Sequence, residues 1–328
     1  MHAITQKDRP HRDILYLSAI LCSGLIVLAV LTPHDYAWTF YLSTHQRDGF
    51  AGFMNRSIFN GAALPGAGDL VYPLLFLTFL FYIPSWLWKF NGTGTKFRTF
   101  LAAYRPLFGF TLTSAFCCSL LFTHTVKQIV GRARPDSVFR KEMAFSQWYQ
   151  SGSHFFTHGS FTGSFPSGHT ATASITIIFA YFLMAAVESG KARWIGRVSL
   201  FLAVSLTVLM GIARMMSASH WLTDVVFTLF SQWALIHLVF FRLLNVPKQR
   251  EYFQRNGIPK NRPLFFELRI CLLLLLLCPG LWAFFTGLRS LQFEGWSWRI
   301  VLTPAGLGWS IYFLDRIRKA LCFKPSKS

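Results

Sequence analysis

Two polar residues late in the chain have the types and the spacing of a catalytic pair. His220 and Asp224 are four residues apart, so on a helix they share a face and can touch. A carboxylate on one imidazole nitrogen fixes the tautomer and leaves the other nitrogen with a directed lone pair, as in catalytic triads. An aspartate that begins an apolar helix can instead be a first-turn charge that the helix dipole favours.

A second histidine follows a short segment that suits the start of a helix. The sequence SFPSGHT, residues 164–170, comes directly before an apolar run. Ser167 is a suitable N-cap, and the exposed amides of Gly168 and His169 would form an anion site at the positive end of the helix dipole. Gly168 lets the backbone approach an oxyanion closely. The alternative is an ordinary capped helix with an incidental histidine.

Three cations lie at or just after the ends of apolar runs. Lys127 ends one such run, and Arg134 follows seven residues later, which on one continuous helix returns almost to the same face. Arg214 ends a later apolar run. Snorkelling at a membrane boundary is the alternative for Lys127 and Arg134. Arg132 is a further phosphate candidate, but its helical register from Lys127 is poorer than that of Arg134.

Together these residues supply what phosphate chemistry needs. Cations and amides balance the charge on the equatorial oxygens, one histidine attacks phosphorus, and the other protonates the leaving oxygen. The sequence contains no HExxH, no CxxC and no cluster of Asp and Glu. The chemistry therefore requires no metal, and no cofactor is predicted. His154 and His158 are read as solvated loop residues.

The composition indicates that membrane helices position these residues. Of the 328 residues, 53% are apolar and 14% are charged, against roughly 25% charged in soluble domains. We predict an all-α polytopic membrane bundle whose N-terminus lies inside. Its eight spans are about 14–32, 70–88, 107–130, 169–187, 198–212, 222–241, 270–285 and 300–314. This topology brings all three polar segments to helix ends on the outer face.

The strong positive charge has a simple origin in this topology. The formal net charge is +19, and 22 of the 32 Lys and Arg residues fall in the predicted inner segments, as the positive-inside rule expects. Nucleic-acid binding is therefore not needed to explain the charge. Half of the ten outer cations lie between Lys127 and Lys141, a local exception that an anion site would explain.

The combined pattern resembles the type 2 phosphatidic acid phosphatase superfamily of integral membrane lipid phosphatases. The resemblance covers roughly residues 70–240. The motifs that carry it are Lys127 with Arg134-Pro135, the sequence PSGH at 166–169, and Arg214 with His220 and Asp224. One departure is Ala213, where the family usually has serine before the arginine.

The resemblance implies a role for each matching residue. The phosphate-binding groups would be Lys127, Arg134, Arg214, Ser167 and the Gly168 amide. His220 would be the nucleophile that forms a phosphohistidine, Asp224 would orient it, and His169 would be the general acid.

We therefore predict three regions and one reaction. Residues 1–243 form a phosphatase core of about six spans, 244–269 a basic cytoplasmic linker, and 270–328 a two-span extension with a basic tail. The core would hydrolyse a phosphomonoester or diphosphate on a lipid of the bilayer, at the periplasmic face of a bacterial inner membrane. Lipid A phosphate ranks first, then undecaprenyl diphosphate and phosphatidylglycerol phosphate. The oligomeric state is not predicted.

Two other functions stay open at this point. A phosphotransferase on the same fold would pass the phosphoryl group to an acceptor alcohol instead of water. A membrane transporter or binding protein with a degenerate site would lack a catalytic group. The chain instead has all seven side chains that the resemblance implies: Lys127, Arg134, Ser167, His169, Arg214, His220 and Asp224.

Overall fold

The computed structural model describes residues 9–45, 48–55, 71–87, 96–150, 163–186, 190–256, 265–293 and 297–321. These residues form helices, turns and loops without a strand, which confirms the all-α prediction. The described α-helices are, in chain order, α1 Arg9–Leu31, α2 Asp35–Thr44, α3 Asp48–Phe53, α4 Val71–Leu87, α5 Lys96–Ser114, α6 Thr123–Val130, α7 Pro135–Phe139, α8 Gly168–Ala186, α9 Gly190–Met216, α10 Leu222–Leu238, α11 Val246–Asn256, α12 Phe266–Phe293 and α13 Leu302–Leu321.

Short non-α helical segments join several of these helices without breaking the chain direction. A 3₁₀ turn at Thr32–His34 joins α1 to α2, and another at Trp298–Val301 precedes α13. A π-helical segment at Ala115–Phe122 joins α5 to α6. The first predicted span, about 14–32, is therefore too short, because the helical segment continues to Thr44.

Within the described residues, six helical segments are long and apolar enough to cross a membrane. They are Asp13–Thr44, Phe100–Phe139, Gly168–Ala186, Trp194–Met216, Leu222–Leu243 and Phe266–Gln292. Each contains or largely overlaps one of the predicted spans. The other two predicted spans are also helices: α4 is a shorter apolar helix, and α13 is not among the six. The chain is an integral membrane protein.

Helix α8 lies at the centre of the bundle. In an apolar 18-residue stretch of α8, 61% is buried inside the protein, against 17% for the corresponding stretch of the first candidate span. Helices α9 and α10 pack against α8, and α1 packs against α10. The small residues Ala171, Ala173 and Ala180 are almost fully buried along α8, which lets neighbouring backbones approach closely as in other membrane bundles.

The C-terminal helices form a tightly packed hairpin. A Cβ atom added at Gly306 of α13 would meet backbone atoms of Phe284 and Gly280 of α12. The hairpin joins the rest of the bundle through α12. Buried Glu267 accepts a hydrogen bond from the Tyr82 hydroxyl at 3.0 Å, and Gly109 of α5 leaves the space that its side chain occupies.

The segment predicted as a basic linker contains a helix that docks on the core. Val246 and Phe253 of α11 are buried, and α11 packs against α5. The guanidinium of Arg250 donates to the Ala186 carbonyl at 2.8 Å. The segment is basic as predicted, but its first half has apolar residues two helical turns apart that bind it to the bundle.

Candidate active site

Lys127 and Arg134 lie on opposite sides of a chain reversal and not on one helix. Helix α6 ends at Val130 because Gly131 adopts a left-handed conformation, with φ 56° and ψ 45°. Glycine takes this conformation without strain and commonly ends helices. Arg134 is extended and precedes α7. The prediction that one helix carries both cations is wrong, although both reach the same site.

His220 occupies a buried turn between α9 and α10. Its Nδ1 lies 2.6 Å from the Ser164 carbonyl oxygen, and its side chain is almost completely buried. A carbonyl only accepts hydrogen bonds, so Nδ1 carries the proton and Nε2 carries the lone pair. The loop before α8 thus holds the tautomer that a nitrogen nucleophile needs.

Asp224 is close to His220 but makes its hydrogen bonds elsewhere. Its Oδ2 is 3.7 Å from His220 Nδ1 and accepts from the Trp221 amide at 2.9 Å. Its Oδ1 accepts from Arg132 Nη1 at 2.6 Å. His220 lies before α10 and not on it, so the two residues do not share a helix face, and the closest partner of Nδ1 is Ser164 and not the carboxylate.

Arg132 is buried and is paired with two carboxylates. Its side chain is fully buried, and it bonds Asp224 and also Asp35, whose Oδ2 is 2.7 Å from Nη2. Its Nε donates to the Ser146 carbonyl at 2.8 Å, and its guanidinium carbon lies 5.3 Å from the centre of the Trp221 ring. The guanidinium is thus committed to these carboxylate and backbone partners.

Ser167 begins α8 as the sequence predicts. Its Oγ accepts from the Thr170 hydroxyl at 2.9 Å and lies 3.4 Å from the Thr170 amide nitrogen. Its own amide donates to Thr228 Oγ1 at 2.9 Å. A Cβ atom added at Gly168 would meet no described residue within 4 Å apart from its neighbours in the chain, so there is open space beside this glycine at the start of α8. His169 follows in the first turn of this helix.

The predicted cations converge on the two histidines. Lys127 and Arg214 are largely buried, and Arg214 Nη1 donates to Asn55 Oδ1 at 3.0 Å. The pKa of His220 lies well below its usual range, because the ring is buried and because Lys127, Arg214 and Arg134 place positive charge near it. The same three cations also act on His169. All eight predicted site residues therefore lie in one region.

Hydrogen bonds between loops hold the three motifs together. The Trp221 indole donates to the Ala133 carbonyl at 2.8 Å, and the Ser164 amide donates to the Arg132 carbonyl at 2.7 Å. Trp221 itself is fully buried. These bonds link the loop after α6 to the loop before α8 and to the turn before α10, and they fix the positions of the motifs relative to one another.

Three residues near the site were missed or misjudged from the sequence. Asp35 and Asn55 lie far from the motifs along the chain. Arg132 was assessed as if it lay on the same helix as Lys127, but that helix ends before Gly131. A carboxylate at the end of an apolar span was an available signal for Asp35, since such residues are functional candidates by default. His154 and His158 lie outside the described residues.

Comparison with known proteins identifies the central part of the chain. The family model described as PAP2 superfamily matches residues 106–247. This segment, less than half of the chain, is similar to the PAP2 superfamily. The match includes every predicted site residue from Lys127 to Asp224 and confirms the resemblance based on the three motifs. No curated protein and no solved structure shows significant similarity to the chain.

The match bears on the reaction class of the site. It supports a phosphatase-type phosphoester hydrolase, in a chain whose apolar helices are long enough to cross a membrane. Residues before 106 and after 247 lie outside the match, yet Asp35 and Asn55 contact site residues. Within the described residues, no three His, Cys, Asp or Glu side chains form a group that would hold a metal ion.

Proposed function

We propose that the chain is a lipid phosphate phosphatase that hydrolyses a phosphomonoester or diphosphate through a phosphohistidine on His220. The observation that carries the proposal is the tautomer and the neutral charge of the His220 imidazole. Its Nδ1 is bound to the Ser164 carbonyl at 2.6 Å, so Nε2 keeps a lone pair. Three nearby cations disfavour protonation of the ring and are suited to attract phosphate.

The first step transfers the phosphoryl group to the protein. His220 Nε2 attacks phosphorus and forms a P–N bond, while the bond from phosphorus to the lipid oxygen breaks. His169 gives its proton to that leaving oxygen. The imidazole that results is positively charged, and Asp224 at 3.7 Å stabilises it.

The second step releases inorganic phosphate. Water attacks phosphorus and breaks the P–N bond, and neutral His169 takes the proton of the water. His220 leaves as a neutral imidazole whose Nδ1–H still donates to the Ser164 carbonyl. Both histidines thus return to their starting protonation states.

The phosphate oxygens are bound by cations and by the start of α8. Lys127, Arg134 and Arg214 would supply the positive charge, and the Gly168 amide, at the start of α8 and beside open space, would donate to a phosphate oxygen. The Ser167 hydroxyl has the chemistry to donate its proton to a phosphate oxygen. Because these groups neutralise the phosphate, we propose that the reaction needs no metal ion.

The membrane setting supports a lipid substrate and an orientation for the site. The 22-to-10 division of basic residues between the predicted faces supports cytoplasmic termini and a site at the periplasmic face of a bacterial inner membrane. The short GRARP and HWLTD segments resemble bacterial members of the family. We rank lipid A phosphate first, then undecaprenyl diphosphate and phosphatidylglycerol phosphate.

A direct test is phosphate release by protein purified in detergent, with EDTA present, from a panel of these three lipids. We expect release from at least one lipid, and a loss of at least about 10³-fold in His220→Ala. No release from any lipid would contradict the proposed function. Loss in EDTA that Mg²⁺ or Zn²⁺ restores would contradict the metal-free mechanism. Release that occurs only as transfer to an added acceptor lipid would identify a phosphotransferase.

A further inference from the structure

Asp35 is a carboxylate within the first candidate span, Asp13–Thr44, and lies outside the PAP2 match. It begins α2, directly after the 3₁₀ turn, and its side chain is fully buried. A buried carboxylate costs several kcal/mol of desolvation unless it is paired and hydrogen-bonded. The contacts of Asp35 show what offsets that cost.

Asp35 and Thr39 supply the N-terminal cap of α10. The residue at the N-cap position of α10 is Trp221, whose indole has no hydrogen-bond acceptor. The Thr223 amide donates instead to Asp35 Oδ1 at 2.9 Å, and the Leu222 amide donates to Thr39 Oγ1 at 3.1 Å. Two amides that begin the helix carrying Asp224 are therefore bound by α2.

Asp35 also binds the arginine that holds Asp224. Arg132 Nη2 lies 2.7 Å from Asp35 Oδ2, and Arg132 Nη1 lies 2.6 Å from Asp224 Oδ1. The Thr223 hydroxyl donates to Asp35 Oδ2 at 2.7 Å and accepts from Arg132 Nη1 at 2.9 Å. The side chains of Asp35, Arg132 and Asp224 are all fully buried, so water screens their interactions very little.

We propose that Asp35 is a positioning residue for catalysis that acts through Arg132 and Asp224. It keeps the guanidinium on Asp224 and fixes the first turn of α10, so that the Asp224 carboxylate stays at its distance from His220. With Asp35 charged, two carboxylates share one guanidinium and leave a net negative charge beside the ring that becomes positive in the first step. This role rests on the proposed function, because His220 is the nucleophile only there.

The test compares Asp35→Asn with a matched control in the same cap. Thr39→Val removes one cap hydrogen bond but leaves the Asp35–Arg132–Asp224 charges unchanged. In Asp35→Asn we expect kcat to fall on the order of 10- to 100-fold, the range typical of groups that orient a ligand, while KM changes by less than about threefold. In Thr39→Val we expect a lower melting temperature with kcat within about threefold of wild type.

A double variant separates positioning from general stability. If Asp35 acts through Asp224, then Asp35→Asn in an Asp224→Asn background should lower kcat by less than about threefold further. Wild-type kcat in Asp35→Asn, fully additive losses in the double variant, or an equal loss of kcat in Thr39→Val would each overturn the proposal.

A spectroscopic readout keeps the proposal testable without turnover. The ring resonance of His220 in histidine-labelled protein, assigned by its loss in His220→Ala, should shift in Asp35→Asn and not in Thr39→Val. An unchanged resonance would overturn the positioning role. If wild-type protein releases no phosphate from any lipid, the proposed function fails, whatever this resonance does.

Discussion

The Ser164 carbonyl lies 2.6 Å from His220 Nδ1, whereas the nearer oxygen of Asp224 lies 3.7 Å away. The backbone of one motif therefore sets the tautomer of the histidine in another. The Asp224 carboxylate is held by Arg132 and by the Trp221 amide. The work of an orienting carboxylate is here divided between a carbonyl and a buried ion-pair network.

This division predicts that Asp224→Asn loses less activity than the orienting carboxylate of serine proteases, where the loss is about 10⁴-fold. The Ser164 carbonyl still holds the Nδ1 proton, so the nucleophile keeps its tautomer. The substitution also removes one of the two carboxylates that share Arg132, but Asp35 still neutralises the guanidinium, so we expect a smaller loss of stability than that of an uncompensated buried charge, about 3–5 kcal/mol. Steady-state kinetics and thermal melting in detergent measure both effects. A loss of 10⁴-fold in correctly folded protein would show that the carboxylate orients the ring directly.

The low pKa of His220 predicts how activity depends on pH. Burial and the nearby cations favour the neutral ring, so the acid limb of kcat/KM that belongs to His220 should lie below about pH 6.5, the usual histidine value. Removing a cation in Arg214→Gln should raise this pKa and move the limb to higher pH. The substrate ionises in the same way in assays of the wild type and of Arg214→Gln. The difference between the two pH profiles therefore comes from groups of the enzyme. A limb that stays in place or moves to lower pH would contradict the electrostatic account.

The same shift has a consequence for stability. The folded protein holds His220 neutral, while the unfolded chain binds a proton below about pH 6.5. Proton binding to the unfolded chain therefore lowers the free energy of unfolding as the pH falls below about 6.5, and this loss is absent above that pH.

Gly168→Ala should impair phosphate binding without harming the fold. Among the described residues, a Cβ atom at this position meets nothing within 4 Å apart from its neighbours in the chain, but it would enter the space in which an oxyanion approaches the backbone. We expect KM and the inhibition constant of inorganic phosphate to rise about tenfold, with an unchanged melting temperature. Gly308→Ala is the matched control, because Gly308 also has no neighbour within 4 Å and lies in the C-terminal hairpin. Equal kinetics in both variants would argue against a phosphate site at the start of α8.

A second glycine pair tests the packing of the C-terminal hairpin. A Cβ atom at Gly306 would meet the α12 backbone at Phe284 and Gly280, so Gly306→Ala must push α12 and α13 apart. We expect a cost of about 1–3 kcal/mol, the usual range for overpacking, seen as a lower melting temperature in detergent. Gly308→Ala should be neutral or slightly stabilising, because alanine favours a helix. Equal melting temperatures for the two variants would contradict this packing.

The sequence predicted the components of the site better than the way they are brought together. Helix ends, the Ser167 cap and the convergence of the cations were available from local patterns, because caps and apolar runs act over a few residues. The path from Lys127 to Arg134 was not, since the left-handed turn at Gly131 replaces the continuous helix. The roles of Asp35 and Arg132 depend on contacts between residues about 90 to 190 positions apart, and no local pattern encodes such contacts.

The most direct test of the account is to trap the phosphoenzyme. Protein mixed rapidly with labelled p-nitrophenyl phosphate and quenched in alkali should carry acid-labile phosphate, because phosphorus is bound to an imidazole nitrogen. His220→Ala should carry none. His169→Ala should still be labelled, because p-nitrophenolate leaves with little need of a proton and the phosphoenzyme then lacks the base that assists water. Label that persists in His220→Ala and disappears in His169→Ala would reverse the two roles and contradict the central claim.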